Sequence, residues 1–513
     1  MKTKAFIAFF ITLLAAGGCT KQHINVVPSG YSELYGTYLK GLQFEEVDFS
    51  TDRAVITFED ASLVTLRLDE VAVHDCSGYS PGITAWNSDG EWMLNGKNLG
   101  IWREDVPDAL AVPIYIYIKD DKINVLLSNE GQYSIGMHLD ELPVIYLYTD
   151  GNAQITSKED YVAGTFRMGE TSARMRIRGR GNSTWTMPKK SWKLKFDSKI
   201  SLMGLAEDKE WCLLANYADK SLIRNLTAMQ ISRVCNMSWT PKMQNCEVYL
   251  NNNYQGVYTL SEHKKVSKNR VNIDTGKGDI LFEIDQDQDE NVCWMTPLGT
   301  PVMFSDPDEP TAAQEQDAKK IFEDIEAALV KGEYSKVYTL IDMDSFINAY
   351  IVQELTMNID GNFRKSSYLT LPKDGKLEYF FVWDFDLSLG NADYFGNPPG
   401  NGPEGWWVKD YGSAGYGKSW YCYLFRDAFF KANLKKRWVE VYPDLKKVSN
   451  HIDRYYKEIG DEAIARNFAV WSFTDNSWWN ASRRTTTYSG ELSNLKDFYA
   501  KRLVWLNTNI NSL

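Results

Sequence analysis

Residues 378–390 read EYFFVWDFDLSLG, and the fold is decided by how that stretch is understood. Tyr379 to Trp383 is an unbroken apolar and aromatic run of strand length, which predicts a buried strand. Asp384 and Asp386 follow it, and a turn at Gly390 ends the stretch. Side chains two apart on a strand point the same way, so the two carboxylates are expected to face one side of the strand's end. Two like charges this close cost free energy unless a cation or hydrogen-bond donor neutralises them. Capping of the following loop is one use for them, and a divalent metal site is the other.

Upstream, SFINAYIVQELTMNIDGNFRKSS spans 345–367. The periodicity of Phe346, Tyr350, Ile351 and Leu355 predicts a helix that stops near Met357. Gly361 suits a left-handed turn that pushes Asp360 out on a loop. A strand over Ser367–Leu371 and a hairpin at Lys373-Asp374-Gly375 connect that loop to Asp384. A loop acid, a short hairpin and a carboxylate closing a buried strand is how protein kinases place a catalytic base and a metal ligand.

The stretch 174–195, RMRIRGRGNSTWTMPKKSWKLK, holds eight basic residues and no acidic ones, in a chain whose formal charge is −12. Arg174, Arg176, Arg178 and Arg180 alternate with Met175, Ile177 and Gly179, and Lys193 and Lys195 repeat the alternation around Leu194. On strands this collects the cations on one face. A solvated basic face and a phosphate cradle both fit, and guanidinium forks with lysine point charges favour the cradle. GRGNS is read as a turn, since no G-x-G-x-x-G loop precedes the lysines.

With 513 residues, two or three domains are expected. The apolar share of 44% and aromatic share of 13% fit a globular protein, and the negative charge argues against nucleic-acid binding. The N-terminus, MKTKAFIAFFITLLAAGGC, reads as an export signal over 1–18. Its end resembles a bacterial lipobox, which would make Cys19 a lipidated first residue and anchor the chain to the cell envelope, periplasmic or surface-facing. A polar tether over 19–37 and a small all-β domain over 38–140 follow. IYIYI and INVLL around Lys119–Lys122 predict a hairpin. GEWMLNGKNLGIW resembles short β modules near the N-terminus of Bacteroidetes surface lipoproteins. Six further cysteines form no C-x-x-C pair, and five scattered histidines give no zinc spacing. The acidic run Asp285–Glu290 reads as a solvated loop. Trp406-Trp407 and Trp478-Trp479 are expected in or near loops, as core anchors or as a platform for sugar or peptide.

RIRGRGNSTW…PKKSWKLKF, WCLLANYADKSLIRN, VYLNNNYQGVYTLSEH, ILFEID, the MNIDG loop and VWDFDLSLGNADY, in that order, resemble the spore-coat CotH kinase family over roughly Leu142 to Ile510, within a domain expected over 141–513. The resemblance implies an α+β, atypical protein-kinase-like fold with a helical C-terminal part. It also implies transfer of the γ-phosphoryl group of ATP, with Mg²⁺ or Mn²⁺, to a hydroxyl of an acceptor that the sequence does not identify, protein or glycan. It makes Asp360 the catalytic aspartate and Asp384 a metal ligand, with Asp386 a second. Arg178, Asn182, Lys193, Lys195 and Arg224 fall to the nucleotide phosphates, with Lys193 or Lys195 the nucleotide lysine. Glu262 becomes the carboxylate that pairs with it. Asp219 and Asn225 match the DKSLIRN helix start, and Glu283 and Asp285 the family's E-x-D. The chain departs from the pattern after Asp360. Arg364-Lys365-Ser366 stands where kinases carry an asparagine for a second metal. That departure leaves open a catalytically silent, exported binding or assembly module. A carboxylate glycosidase using Asp360 and Glu262 is a third reading.

Overall fold

A computed structural model of the chain describes residues 142–169, 171–361, 363–392, 402–409, 419–474 and 485–513 in full, preceded by backbone strands between 44 and 136. The expected signal, tether and Cys19, together with Asn362, Trp478 and Trp479, lie outside the described residues. Two compact units divide the chain, one running to Asp140 with Leu202–Gly204, the other holding Glu141–Ser201 and Leu205–Leu513. No described helix is long and apolar enough to cross a membrane.

In the first unit the strands form three-stranded antiparallel sheets: β1–β3 (Phe44–Phe49, Arg53–Phe58, Leu63–Arg67), β4–β6 (Thr84–Trp86, Glu91–Leu94, Lys97–Trp102) and β7–β9 (Pro113–Lys119, Lys122–Leu127, Gln132–Gly136). Lys119 pairs with Lys122, as the hairpin reading requires.

Seven strands of the second unit close into a barrel: β10 (Val144–Thr149), β11 (Val162–Met168), β12 (Thr171–Arg180), β13 (Ser191–Ile200), β14 (Asp208–Leu214), β15 (Met243–Leu250) and β16 (Asn253–Glu262). All neighbours are antiparallel except β10 and β15, whose parallel pairing closes the ring. Closure removes exposed edges and encloses Phe166, Met175, Ile177, Leu194, Phe196 and Trp211, each at most 1% exposed. The alternation in β12 and β13 therefore has a cause: apolar residues fill the barrel, and the cations take its outer face.

An antiparallel sheet of five strands follows, in the order β18 (Cys293–Met295), β19 (Pro301–Asp306), β17 (Ile280–Ile284), β20 (Ser367–Leu371) and β21 (Glu378–Val382). Helices α1 (Ser183–Thr186), α2 (Arg224–Val234), α3 (Ala312–Lys331), α4 (Tyr334–Leu340), α5 (Met343–Thr356), α6 (Trp420–Leu424), α7 (Ala428–Ile459), α8 (Asp461–Val470) and α9 (Tyr488–Asn511) complete the unit. The helical C-terminal part is thus present. α3 starts with a capping box between Thr311 and Gln314 and stops at Gly332 in the left-handed conformation.

Helix α5 packs on β21 and ends at Met357, whose φ of 47° turns the chain sharply. A buried ion pair locks its last turn. Glu354 and Arg502 of α9 meet at 2.5 Å, with exposures of 1% and 0%. Glu354 also accepts the backbone N–H groups of Trp407, Val408 and Lys409, while Arg502 donates to the carbonyls of Glu354, Pro403 and Gly405. Charges this deep persist only when every polar atom has such partners.

Candidate active site: a cleft between a basic and an acidic wall

Strands β12 and β13 on one side and the loops around β17, β20 and β21 on the other line a cleft of about 530 Å³. The basic wall comes from the outer barrel face. Arg178, Arg180 and Lys193 reach into it, with the turn Gly181–Thr184 at one end. Gly179 is required here because a Cβ would collide with the Trp185 ring, which folds back over β12. Arg178 donates to the carbonyl of Lys158 and to Glu159 at 3.3 Å, and lies 5.0 Å from the centre of the Tyr161 ring. Arg180 stacks over Trp383 at 5.8 Å.

Lys193 and Lys195 both bind Glu210 of β14, at 2.8 and 3.4 Å, and Lys265 joins them at 3.3 Å. Burial pushes the Glu210 carboxyl up, but the Lys193 hydrogen bond and the three ammonium charges outweigh it and bring it to about 2. Among the described ion pairs Glu262 has no lysine partner. Its β-pairing partner is Trp211, the neighbour of Glu210, so it sits on the opposite face of the wall from Lys193. There it is 2% exposed, accepts the Lys242 backbone N–H at 3.0 Å, and is raised by burial. Its assignment is corrected on that ground: Glu210 is the lysine-binding carboxylate. Glu262 does not line the cleft, so the two-acid glycosidase arrangement with Asp360 is not formed.

Arg224 also lies elsewhere. It is 1% exposed and held by Asp219 at 2.5 Å and Glu491 at 2.8 Å, bordering a separate pocket against α9. Both its charges and its position make it a brace. Asp219 is not the N-cap of α2, a position held by Ile223, but it accepts the Arg224 backbone N–H at 2.8 Å from four residues further upstream. Asn225 accepts the backbone N–H of Phe385 at 2.8 Å, tying α2 to the acidic loop.

The acidic wall gathers Glu283, Asp285, Asp360, Asp384 and Asp386 in the same cleft. β21 ends at Val382, and Asp384 has φ 64°, so strand alternation does not align the two carboxylates. They flank the fully buried Phe385 instead, and both line the cleft. Burial raises the Asp386 carboxyl well above the usual range, and Asp384, Asp360 and Asp219 add to it. Asp360 is raised too, by burial and then Asp384, against the pull of Arg364 and Lys365. Its loop is fixed by Asn358, which donates to the Asp384 carbonyl at 3.1 Å and accepts the Asp360 N–H at 3.3 Å. Gly361 is not left-handed. It is needed because a Cβ there would run into the Gln353 amide, 2.6 Å from its Cδ.

Lys264, Tyr368 and Asp287 escaped sequence reasoning, while Asp285 falls in a run read as solvated. Lys264 grips both oxygens of Glu283, at 2.6 and 2.5 Å, and the Tyr368 hydroxyl at 2.5 Å. Asp285 is buried rather than solvated, and burial with Glu283 and Asp287 drives its carboxyl to about 7. Asp287 links Asn182 of the basic wall to Lys365 of the acidic one. The apolar run ILFEI, carrying a single acid before Asp285, was the available signal. Trp407 is a core anchor at 2% exposure, and Trp406 packs against Trp505 at 5.1 Å, so neither forms an open platform. The five described cysteines are free thiols.

The family model for CotH kinase protein matches residues 177–506. This chain belongs to the CotH kinase family. The match takes in every residue lining the cleft except Lys158 and Glu159, so the CotH region contains both walls. A search of curated proteins found no match. A kinase-like family implies a nucleotide and a divalent metal in general terms. Among the described residues no group of three or more His, Cys, Asp or Glu is placed to hold an ion alone. The Asp384–Asp386 pair nevertheless fits Mg²⁺ or Mn²⁺: both ligands are hard oxygens, their repulsion awaits a cation, and such ions take one or two carboxylates plus phosphate and water.

Proposed function

We propose that this chain transfers the γ-phosphoryl group of ATP to a hydroxyl, with a protein serine or threonine as the expected acceptor. One observation carries the reading: a cationic wall and a carboxylate wall face each other across a single cleft, with Asp360 between Lys365 and Asp384. Phosphoryl transfer asks a protein mainly for positioning and charge compensation, and this pairing suits both. Arg178, Arg180 and Lys193 would take the phosphates, while Lys264 and Glu283 would hold the floor of the cleft. Asp384 and Asp386 would hold the metal, which when bound offsets the charge of the phosphates. Asp360, raised by burial but kept in place by Arg364 and Asn358, would orient the acceptor hydroxyl and receive its proton. Cys19 would carry the lipid that fixes the chain to the cell envelope.

The test is thermal unfolding of the full chain in detergent, with and without ATP and Mg²⁺ or Mn²⁺, beside Asp384→Ala. Ligand at 100 times its dissociation constant stabilises by about 2.7 kcal/mol. The reading expects a metal-dependent shift that the variant loses. No shift with any nucleotide and metal would remove it.

A further inference from the structure

We propose that Lys365 supplies the positive charge that a second divalent ion supplies in two-metal kinases, so that this chain takes a single metal ion with its nucleotide. The inference rests on the phosphoryl-transfer reading above and goes beyond it by assigning the metal count and the residue that sets it.

Protein kinases hold their second ion with an asparagine shortly after the catalytic aspartate. Here that part of the loop reads Arg364-Lys365-Ser366, and the structure turns Lys365 into the cleft beside Asp360 and Asp384. Its backbone N–H donates to the Asp360 carbonyl at 2.8 Å, so the ammonium is carried by the same turn as the catalytic carboxylate. Its Nζ lies 2.7 Å from Oδ2 of Asp287 and also feels the charges of Asp285 and Asp360. That same Oδ2 accepts the Asn182 amide from the basic wall at 2.5 Å. A single anionic oxygen therefore sits between an ammonium on one wall and an amide on the other. A phosphate oxygen has the same requirements, and the exposed Asp287 side chain can yield the place to it.

Among the described residues of this part of the loop, the side chains of Asn358, Asp360, Arg364 and Lys365 are already engaged. Asn358 is fully buried, with its amide on the Asp384 carbonyl and its oxygen on the Asp360 N–H. Glu283 is held by Lys264 and Tyr368. An ion placed at Lys365 would meet a fixed positive charge.

The experiment is a Mn²⁺ titration read by electron paramagnetic resonance, with the full chain and a non-hydrolysable ATP analogue. The wild type is expected to bind about one equivalent of Mn²⁺ with the nucleotide. Lys365→Met is expected to bind the nucleotide at least about tenfold more weakly at saturating Mn²⁺, and Lys365→Arg to restore most of that affinity. Two equivalents in the wild type, with nucleotide binding intact, would overturn this inference alone. So would wild-type affinity in Lys365→Met. Absence of any nucleotide-dependent Mn²⁺ uptake would overturn the phosphoryl-transfer reading and this inference with it.

Discussion

On the barrel wall one carboxylate, Glu210, is shared by three lysines, at 2.8, 3.4 and 3.3 Å. Across the cleft the ratio reverses: Asp360, Asp384 and Asp386 stand together, and Arg364 at 3.5 Å from Asp360 is the cation that contacts them among the described ion pairs. The electrostatic outcomes diverge accordingly. Glu210 is drawn down to about 2, while Asp360 and Asp386 are pushed up. An excess of like charges within each wall is costly on its own. It becomes favourable when a polyanion and a divalent cation enter together, each meeting the wall that lacks it.

The contrast can be broken most forcefully at Asp360. Asp360→Asn is expected to lower phosphoryl transfer by about 10²–10⁴-fold, measured as label transferred from γ-labelled ATP, with nucleotide binding retained. Wild-type transfer would show that the acidic wall only binds. Next in size is Glu210→Gln, which leaves three lysines facing one another. Chemical unfolding should show a loss of about 3 kcal/mol, tempered by the partial exposure of Lys195 and Lys265. Gly361→Ala should cost about 2 kcal/mol by forcing the loop away from Gln353, and transfer should fall with it as Asp360 shifts.

The smallest effects sharpen the comparison by sign. Asp386→Asn removes a charge from the crowded wall and should raise metal-free stability by about 1 kcal/mol at pH 8, opposite to Glu210→Gln. Asp285 stands at about 7 in the folded chain against 3.8 for the free side chain. Its stabilising contribution is therefore fully present below 3.8 and is lost as the pH rises through 7. Glu210 runs the other way, from 4.5 to about 2: its contribution is present above 4.5 and is lost as the pH falls through 2. Above pH 4.5 the slope belongs to the acidic wall. Stability should fall by about 1 kcal/mol from pH 5 to pH 8, and Asp285→Asn should flatten the curve.

Much of this was legible in the residues. The run before Asp384 is a buried strand, the helix before Asp360 stops where the apolar period ends, and the arginine ladder faces outward because its partners fill the barrel. What could not be read were facts of register and depth. Glu210 and Glu262 are both acids near the basic ladder, and only the pairing of β14 with β16 shows that they face opposite sides. Arg224 resembles a phosphate ligand until Glu491, far along the chain, is seen beside it. Gly361 was assigned a backbone role when its cause is a neighbouring amide, a contact between α5 and its own following loop.

The bridge from Glu354 to Arg502 has a consequence in time. The carboxylate that steadies the approach to Asp360 depends on a guanidinium 148 residues further along the chain. A nascent chain on the ribosome can assemble its barrel and five-stranded sheet early. It cannot settle the helix that carries the reactive loop until α9 has been made. Products that stop before α9 would thus hold nearly every cleft residue and still be unable to set them.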